Sequence, residues 1–185
     1  LGHKIAINQH SPLDGYSEPY KTCIHYGSLF YCLLGLIITA FVLRRFYSDI
    51  ITALTIITLF FATNLFCYTI RDSEMTHSYS FFLISVLLWL TCKWHENKKS
   101  IYFLWIGLTL GLISLIRPNE ILIGIIFIGY NVNSFSALKT KMKEVFFSVK
   151  NILFFTVGFF VMWLPQMIYW KMRTGNLLFF SYGSK

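Results

Sequence analysis

The sequence predicts an all-α fold, a polytopic transmembrane helical bundle of about six membrane-spanning helices. Three observations carry that prediction. The 185 residues are 56% hydrophobic and 19% aromatic but only 13% charged, an apolar share above that of ordinary soluble domains. Apolar runs of roughly 17 to 22 residues recur, each about long enough to cross a ~30 Å hydrocarbon core as a helix. The alternating pattern of an outer-membrane barrel is missing, which leaves helices as the spanning element. One transmembrane domain over residues 1–185 is expected, with an outer-face loop at residues 1–24 and an outer-face tail at residues 171–185.

Residues 1–24 mix charged side chains with Pro12, Gly15 and Pro19, which punctuate turns. The first span runs from His25 to Leu43 and is stopped by Arg44 and Arg45. Asp49 opens the second, Ile50 to about Ile70, where Thr52, Thr55, Thr58 and Thr63 bond back to their own helix. A charged break follows, Arg71-Asp72-Ser73-Glu74-Met75-Thr76-His77, and the third span continues from about Thr76 to Cys92, with Trp94 at headgroup level. The fourth, Ser100 to Ile116, carries Gly107 and Gly111, a small-xxx-small face that admits a neighbouring backbone. Arg117-Pro118-Asn119-Glu120 then interrupts the apolar pattern. A charge at mid-membrane costs on the order of 3 kcal/mol, so a hairpin turning at the interface is preferred to one bent helix, and Ile121 to Tyr130 form a fifth span. A short amphipathic piece leads to the sixth, about Ile152 to Trp170, with a kink expected at Pro165.

The net charge of +8 does not read as a nucleic-acid surface, because the bases lie in small clusters between apolar runs. They read as topology signals. Arg44 and Arg45, then Lys93, Lys98 and Lys99, then Lys139, Lys141, Lys143 and Lys150 fall in alternate loops with few acids, which places those loops in the cytoplasm. Asp14, Glu18, Asp72, Glu74 and Glu120 collect on the opposite, outer face. The cysteines have no metal-type spacing and read as packing residues. The chain opens at Leu1 without an initiator Met, so a fragment of a longer protein is expected, although a cleaved N-terminus gives the same start.

Several groups carry chemistry, each with a plainer reading beside it. Glu74 and His77 are spaced to share one helix face with Phe81, and Asp72 or Ser73 can cap that helix. They serve either as cap and interface solvation or as a site in which a carboxylate or imidazole takes a proton from an acceptor hydroxyl. Glu-x-x-His also resembles half of a di-metal bundle site, but the second copy and two further carboxylates are missing, so no metal and no cofactor is assigned. Arg117 either snorkels at its helix end or holds a phosphate with paired charge-assisted hydrogen bonds. Asn119 and Glu120 orient it or cap the next helix. Asp14 to Tyr20 puts two acids and two tyrosines on the outer face, either as a solvated turn or as a sugar-binding surface.

Four stretches together resemble a polytopic GT-C type glycosyltransferase, close to the dolichyl-phosphate-mannose protein mannosyltransferase superfamily and its bacterial glycosyltransferase 39-like members. They are Asp14 to Tyr20 leading into Gly27-Ser28-Leu29-Phe30-Tyr31 and Gly35-Leu36; Thr63 to Phe66 with Met75 to Phe82; Gly107-Leu108 and Gly111-Leu112 ending at Arg117-Pro118; and Pro165-Gln166 through Trp170-Lys171 to Thr174-Gly175-Asn176 and Ser181-Tyr182-Gly183. The resemblance implies an integral protein of the bacterial inner membrane, active outside the cytoplasm. It implies inverting transfer of a sugar from a polyprenyl-phosphate carrier to a lipid, glycan or protein acceptor. Arg117 matches the place of the carrier-phosphate ligand. Glu74 or Asp72 matches the acidic residue that opens a helix, and Asp14 is the candidate for the base of the first outer loop, unless that loop lies upstream of Leu1. Family members are several hundred residues long, so this chain covers part of such a protein and is expected to be inactive alone if the base is missing. Two other readings stand beside it. A transporter or channel subunit would place ionisable residues inside its spans, which these charges avoid, and a membrane assembly protein would use the Gly107 and Gly111 face.

Overall fold

The computed structural model describes residues 1–179, and all regular secondary structure among them is helical. Where one domain is expected, packing groups the chain into two compact units, Leu1–Trp89 and the residues from Leu90 onward.

In the first unit, α1 (Gly2–Asn8) precedes α2 (Glu18–Leu43), so residues 1–24 are not the loop expected from their prolines and glycine. Pro19 opens α2 rather than breaking it, because its missing N–H falls in the first turn, where a helix has no internal acceptor to lose. Gly2 packs against Pro19 and Tyr20, and His3 Nδ1 lies 2.6 Å from the Tyr20 hydroxyl. The single second span expected from Ile50 to Ile70 is instead α3 (Asp49–Phe61) and α4 (Leu65–Ile70). Thr63 marks the break. Its hydroxyl donates to the Leu59 carbonyl at 2.7 Å and accepts the Leu65 amide at 3.2 Å, diverting that amide from the helical ladder.

The next helix, α5 (His77–Asn97), starts in the first unit and ends in the second. Its first half runs alongside α2 in the same direction. Gly27 meets Tyr79, Gly35 meets Phe81 and Phe82, and Thr39 Oγ1 lies 2.9 Å from Ser85 Oγ. Tyr31 fills the space between them, with its ring 5.2 Å from those of both Tyr79 and Phe82.

The second unit holds α6 (Ile101–Ile116), a 3-10 helix (Pro118–Gly124), α7 (Ile125–Gly129), α8 (Phe135–Phe146) and α9 (Val149–Thr174). The chain reverses at Arg117 and returns along α6. Gly124 lies against Leu110, the Phe127 ring is 5.6 Å from Phe103, and the Tyr130 ring is 4.6 Å from His95. Trp94, expected at a headgroup position, is 2% exposed and packs edge-on against Phe103 and next to Phe127. Phe103 of α6 and Phe127 of the returning segment together bury it. α9 continues through Pro165 and ends at Gly175, whose φ of 78° suits a residue without a side chain.

α6 and α9 run parallel in backbone contact. A Cβ on Gly107 would come 2.3 Å from the Phe155 carbonyl oxygen, and one on Gly158 would come 2.4 Å from that of Leu104. The Gly107 and Gly111 face is therefore occupied from within the chain. Trp163 adds a hydrogen bond across the pair, its indole N–H donating to Ser114 Oγ at 3.0 Å.

Two helices, α2 and α9, are long and apolar enough to cross a membrane, while Asp49–Phe61, Ile101–Ile116 and Pro118–Gly129 are shorter apolar pieces. At 1.5 Å per residue the sixteen residues of α6 reach about 24 Å, short of a ~30 Å core. Of the six expected spans two meet this test: the break at Thr63 divides the second, the limbs of the reversal are short for the fourth and fifth, and α5, at 21 residues, is long enough but less apolar. Phe30, Leu33, Ile37 and Phe41 on α2 and Ile50, Leu54, Ile57 and Phe61 on α3 are each at least half exposed, at helical spacing. Continuous apolar stripes of this kind favour association with lipid over contact with water.

Gly107→Ala is expected to force α6 from α9 and destabilise the fold by about 1–3 kcal/mol, the cost of overpacking. Gly129→Ala, whose Cβ would meet nothing within 4 Å, is expected to be neutral or slightly stabilising. Thermal unfolding of both variants in detergent measures the difference; equal midpoints would refute the close-packing account.

Candidate functional site

The predicted site residues fall in both units. In the first, the break between α4 and α5 closes in tight turns: the Asp72 amide donates to the Cys67 carbonyl at 3.0 Å and the Met75 amide to that of Asp72 at 2.9 Å. α5 begins at His77, so Glu74 lies outside the helix and the expected shared face of Glu74, His77 and Phe81 does not form. The turns between Asp72 and Met75 delay the helix by one turn relative to the spacing argument. Asp72 and Glu74 are exposed at the surface. Ser73 does not cap α5; it is buried, with its hydroxyl 3.2 Å from His25 Nδ1. His77 stacks on Tyr68, ring centroids 3.9 Å apart and planes within 23°.

Beneath this turn lies a polar chain that sequence reasoning missed. Ser28 Oγ donates to Ser78 Oγ at 2.9 Å, and Ser78 Oγ is 3.0 Å from Thr69 Oγ1, which donates to the Leu65 carbonyl at 2.7 Å. All three residues are fully buried. Each hydroxyl has a partner, which makes burial affordable and joins α2, α4 and α5. Small residues facing each other on helices brought together by the fold leave no trace in linear spacing.

Asp14 is exposed and acts as a turn cap, its Oδ1 accepting the amides of Tyr16 at 2.8 Å and Ser17 at 2.9 Å. The Tyr16 amide, then that of Ser17, holds the carboxyl below its ordinary value and makes it a weaker base.

In the second unit, Arg117 ends α6 in extended backbone and pairs with Glu120 at 3.2 Å, their side chains 39% and 21% exposed. The other oxygen of Glu120 is buried without a hydrogen-bond partner among the described residues. Asn119 between them is exposed. Arg117 and Glu120 are thus brought together at the apex of the reversal.

The opposite end of α6 carries a polar pocket of about 350 Å³, lined by His95, Lys98, Tyr130, Ser136, Lys141 and Glu144 among others. Lys98 Nζ meets Glu144 at 2.6 Å and lies 4.0 Å from the centre of the Trp94 ring. Lys141 is 7% exposed and donates to the Tyr130 carbonyl. Sequence alone marks these lysines as topology signals. Their pattern does hold a clue, because Lys141 falls four residues after Ala137 and four before Val145, on the buried side of an amphipathic helix. Ser181, Tyr182 and Gly183, which complete the last stretch of the family resemblance, and the end of the expected tail at residues 171–185 lie outside the described residues.

Among the described residues no three His, Cys, Asp or Glu side chains gather as a metal set. No family model, curated protein or solved structure matches the chain.

Burial pushes the Lys141 ammonium down to about 8 from an ordinary 10.5, with Lys98 adding to the shift and Glu144 opposing it. The folded chain then holds this proton less tightly than the unfolded chain, so the Lys141 contribution to stability grows as pH rises from about 8 to 10.5 and is lost as pH falls through 8. A 13C NMR titration of the lysine side chains is expected to show Lys141 with a midpoint near 8; a midpoint with the exposed lysines near 10.4 would contradict its desolvation.

Proposed function

We propose that this chain is part of a GT-C-like membrane glycosyltransferase that moves a sugar from a polyprenyl-phosphate carrier to an acceptor on the outer face of a bacterial inner membrane. The observation that carries the reading is the Arg117–Glu120 pair at the apex of the reversal, where a guanidinium sits beside a carboxylate oxygen that is buried and has no partner. A phosphate answers the first group and a sugar or acceptor hydroxyl the second. The apex lies at the far end of α6 from Lys98 and Lys141, and the excess of bases at that other end favours the cytoplasm for it. In this reading the short helices complete six crossings.

The chemistry follows from charge. An acceptor hydroxyl attacks the anomeric carbon, a carboxylate takes its proton, and the sugar leaves its lipid phosphate with inversion. Arg117 stabilises the charge that grows on the departing phosphate, and Asn119 and Glu120 position it. Of the acids in the first unit, Asp14 is committed to its turn, which leaves Asp72 and Glu74 as that unit's candidates for a base. His77, held on Tyr68, is a candidate to orient the acceptor.

Arg117→Ala in the full-length protein is expected to lower transfer from a labelled polyprenyl-phosphate sugar by about 100-fold or more and to weaken carrier binding, with the helical fold retained. Glu74→Gln is expected to lower transfer while leaving carrier binding unchanged. A wild-type protein that neither binds nor consumes the carrier would refute the enzyme reading and favour the transporter or assembly readings.

A further inference from the structure

Two cavities in the second unit share a wall. The polar pocket between the end of α5 and α8 is lined by Lys141 and His95, and the Phe127 ring lies behind them, its centre 5.8 Å from Lys141 Nζ and 6.1 Å from the His95 ring. Phe127 also lines a second cavity of about 400 Å³, walled by Phe103, Leu110, Ile121, Val145 and Ile152 with Asn151 among the few polar groups. One side of this wall is cationic and hydrogen-bonding, and the other is hydrocarbon.

The charges in the polar pocket do not cancel. Glu144 is matched by Lys98 at 2.6 Å. Among the described residues, Lys141 donates to the neutral carbonyl of Tyr130, lies 5.8 Å and 5.9 Å from the centres of the Phe127 and Tyr130 rings, and retains two further ammonium protons. The same pocket offers an acceptor of known tautomer. His95 Nδ1 is 2.8 Å from the Thr91 carbonyl, which can only accept, so Nδ1 carries the proton and Nε2 presents a lone pair. That Nε2 is buried and has no hydrogen-bond partner among the described residues. Desolvation lowers the His95 pKa, consistent with a neutral ring.

The geometry points to a binding site for an anionic phospholipid with a hydroxylated headgroup, of the phosphatidylglycerol class. Its phosphate rests on Lys141, a headgroup hydroxyl donates to His95 Nε2, and one acyl chain enters the cavity behind Phe127. A cation beside an acceptor that cannot itself bind phosphate selects a ligand carrying both a negative charge and a hydroxyl. The adjoining apolar cavity selects one with a chain. The Lys-rich end of the unit suits the leaflet that holds anionic lipid, where basic pockets between helices take up such headgroups. This inference rests on the chain lying in a membrane and goes beyond the proposed sugar transfer, on which it does not depend.

The test places the full-length protein in nanodiscs with spin-labelled phosphatidylglycerol, phosphatidic acid or phosphatidylcholine and reads the motionally restricted fraction. Phosphatidylglycerol is expected to bind about tenfold more tightly than phosphatidylcholine, the size of one charge-assisted hydrogen bond. Lys141→Met should remove that preference, while Lys141→Arg and Lys139→Met, the latter at an exposed lysine of the same helix, should keep it. His95→Leu should abolish the preference for phosphatidylglycerol over phosphatidic acid and leave phosphatidic acid binding unchanged. Ile152→Trp, which fills the apolar cavity, should weaken both anionic lipids alike, an arm that stands even if Lys141→Met does not fold. Equal losses in Lys139→Met and Lys141→Met, competition by inorganic phosphate alone, or unchanged binding in Ile152→Trp would each overturn the site. No arm uses sugar transfer, so failure of the enzyme reading and failure of this one are separable.

Discussion

The second unit depends on the backbone contact between α6 and α9. Gly107 and Gly158 face each other's helices so closely that a single methyl group would run into a carbonyl oxygen. Contact at this distance gains dispersion along both helices and lets the Trp163 indole reach Ser114 across the pair. With α9 held on this side of α6, the segment after Arg117 returns along α6 to bring Leu110, Phe103 and His95 into contact with Gly124, Phe127 and Tyr130. The apex and the lysine-lined pocket at the other end both follow from that arrangement.

The first unit solves a related problem with hydroxyls. Ser28, Thr69 and Ser78 are fully buried yet joined in a hydrogen-bonded chain, so these three hydroxyls tie α2, α4 and α5 together with each one partnered. Gly27 and Gly35 bring α2 close to α5, and Tyr31 fills the space that remains. The exposed stripes on α2 and α3 are the counterpart of this interior: apolar side chains that no part of the unit covers and that lipid can.

Much of this was legible in the chain. Long apolar runs specify helices, and the Gly107 and Gly111 spacing marks the face that α9 occupies. The cost of carrying Arg117 and Glu120 through a membrane points to the reversal seen at Arg117. Other features were not legible, for identifiable reasons. Pro19 and Gly15 look alike as punctuation, but Pro19 falls at a helix start, where it is favoured. A threonine in a span normally bonds back to its own helix without breaking it, and Thr63 does so while also capturing the Leu65 amide. Trp94 resembles an interface anchor until Phe103 and Phe127 close over it. Of the candidate site, Arg117 with Glu120 emerges as a local pair, while Glu74 loses its helical register with His77 because the intervening turns delay α5. The pocket joins His95 and Lys98 at the end of α5 to Lys141, more than forty positions on, and the one local hint of it is Lys141's place on the buried side of α8.

The central claim is that the chain turns at Arg117 on one face of the membrane and returns to the face that holds the lysine clusters. Single cysteines at Asn119 and Lys139, in a background with the four native cysteines replaced by serine, test it directly through labelling of intact cells with a membrane-impermeant thiol reagent. The account predicts that Asn119→Cys is labelled from outside and Lys139→Cys only after lysis. Labelling of both positions from the same side would contradict the return across the membrane, and the reverse pattern would contradict the orientation.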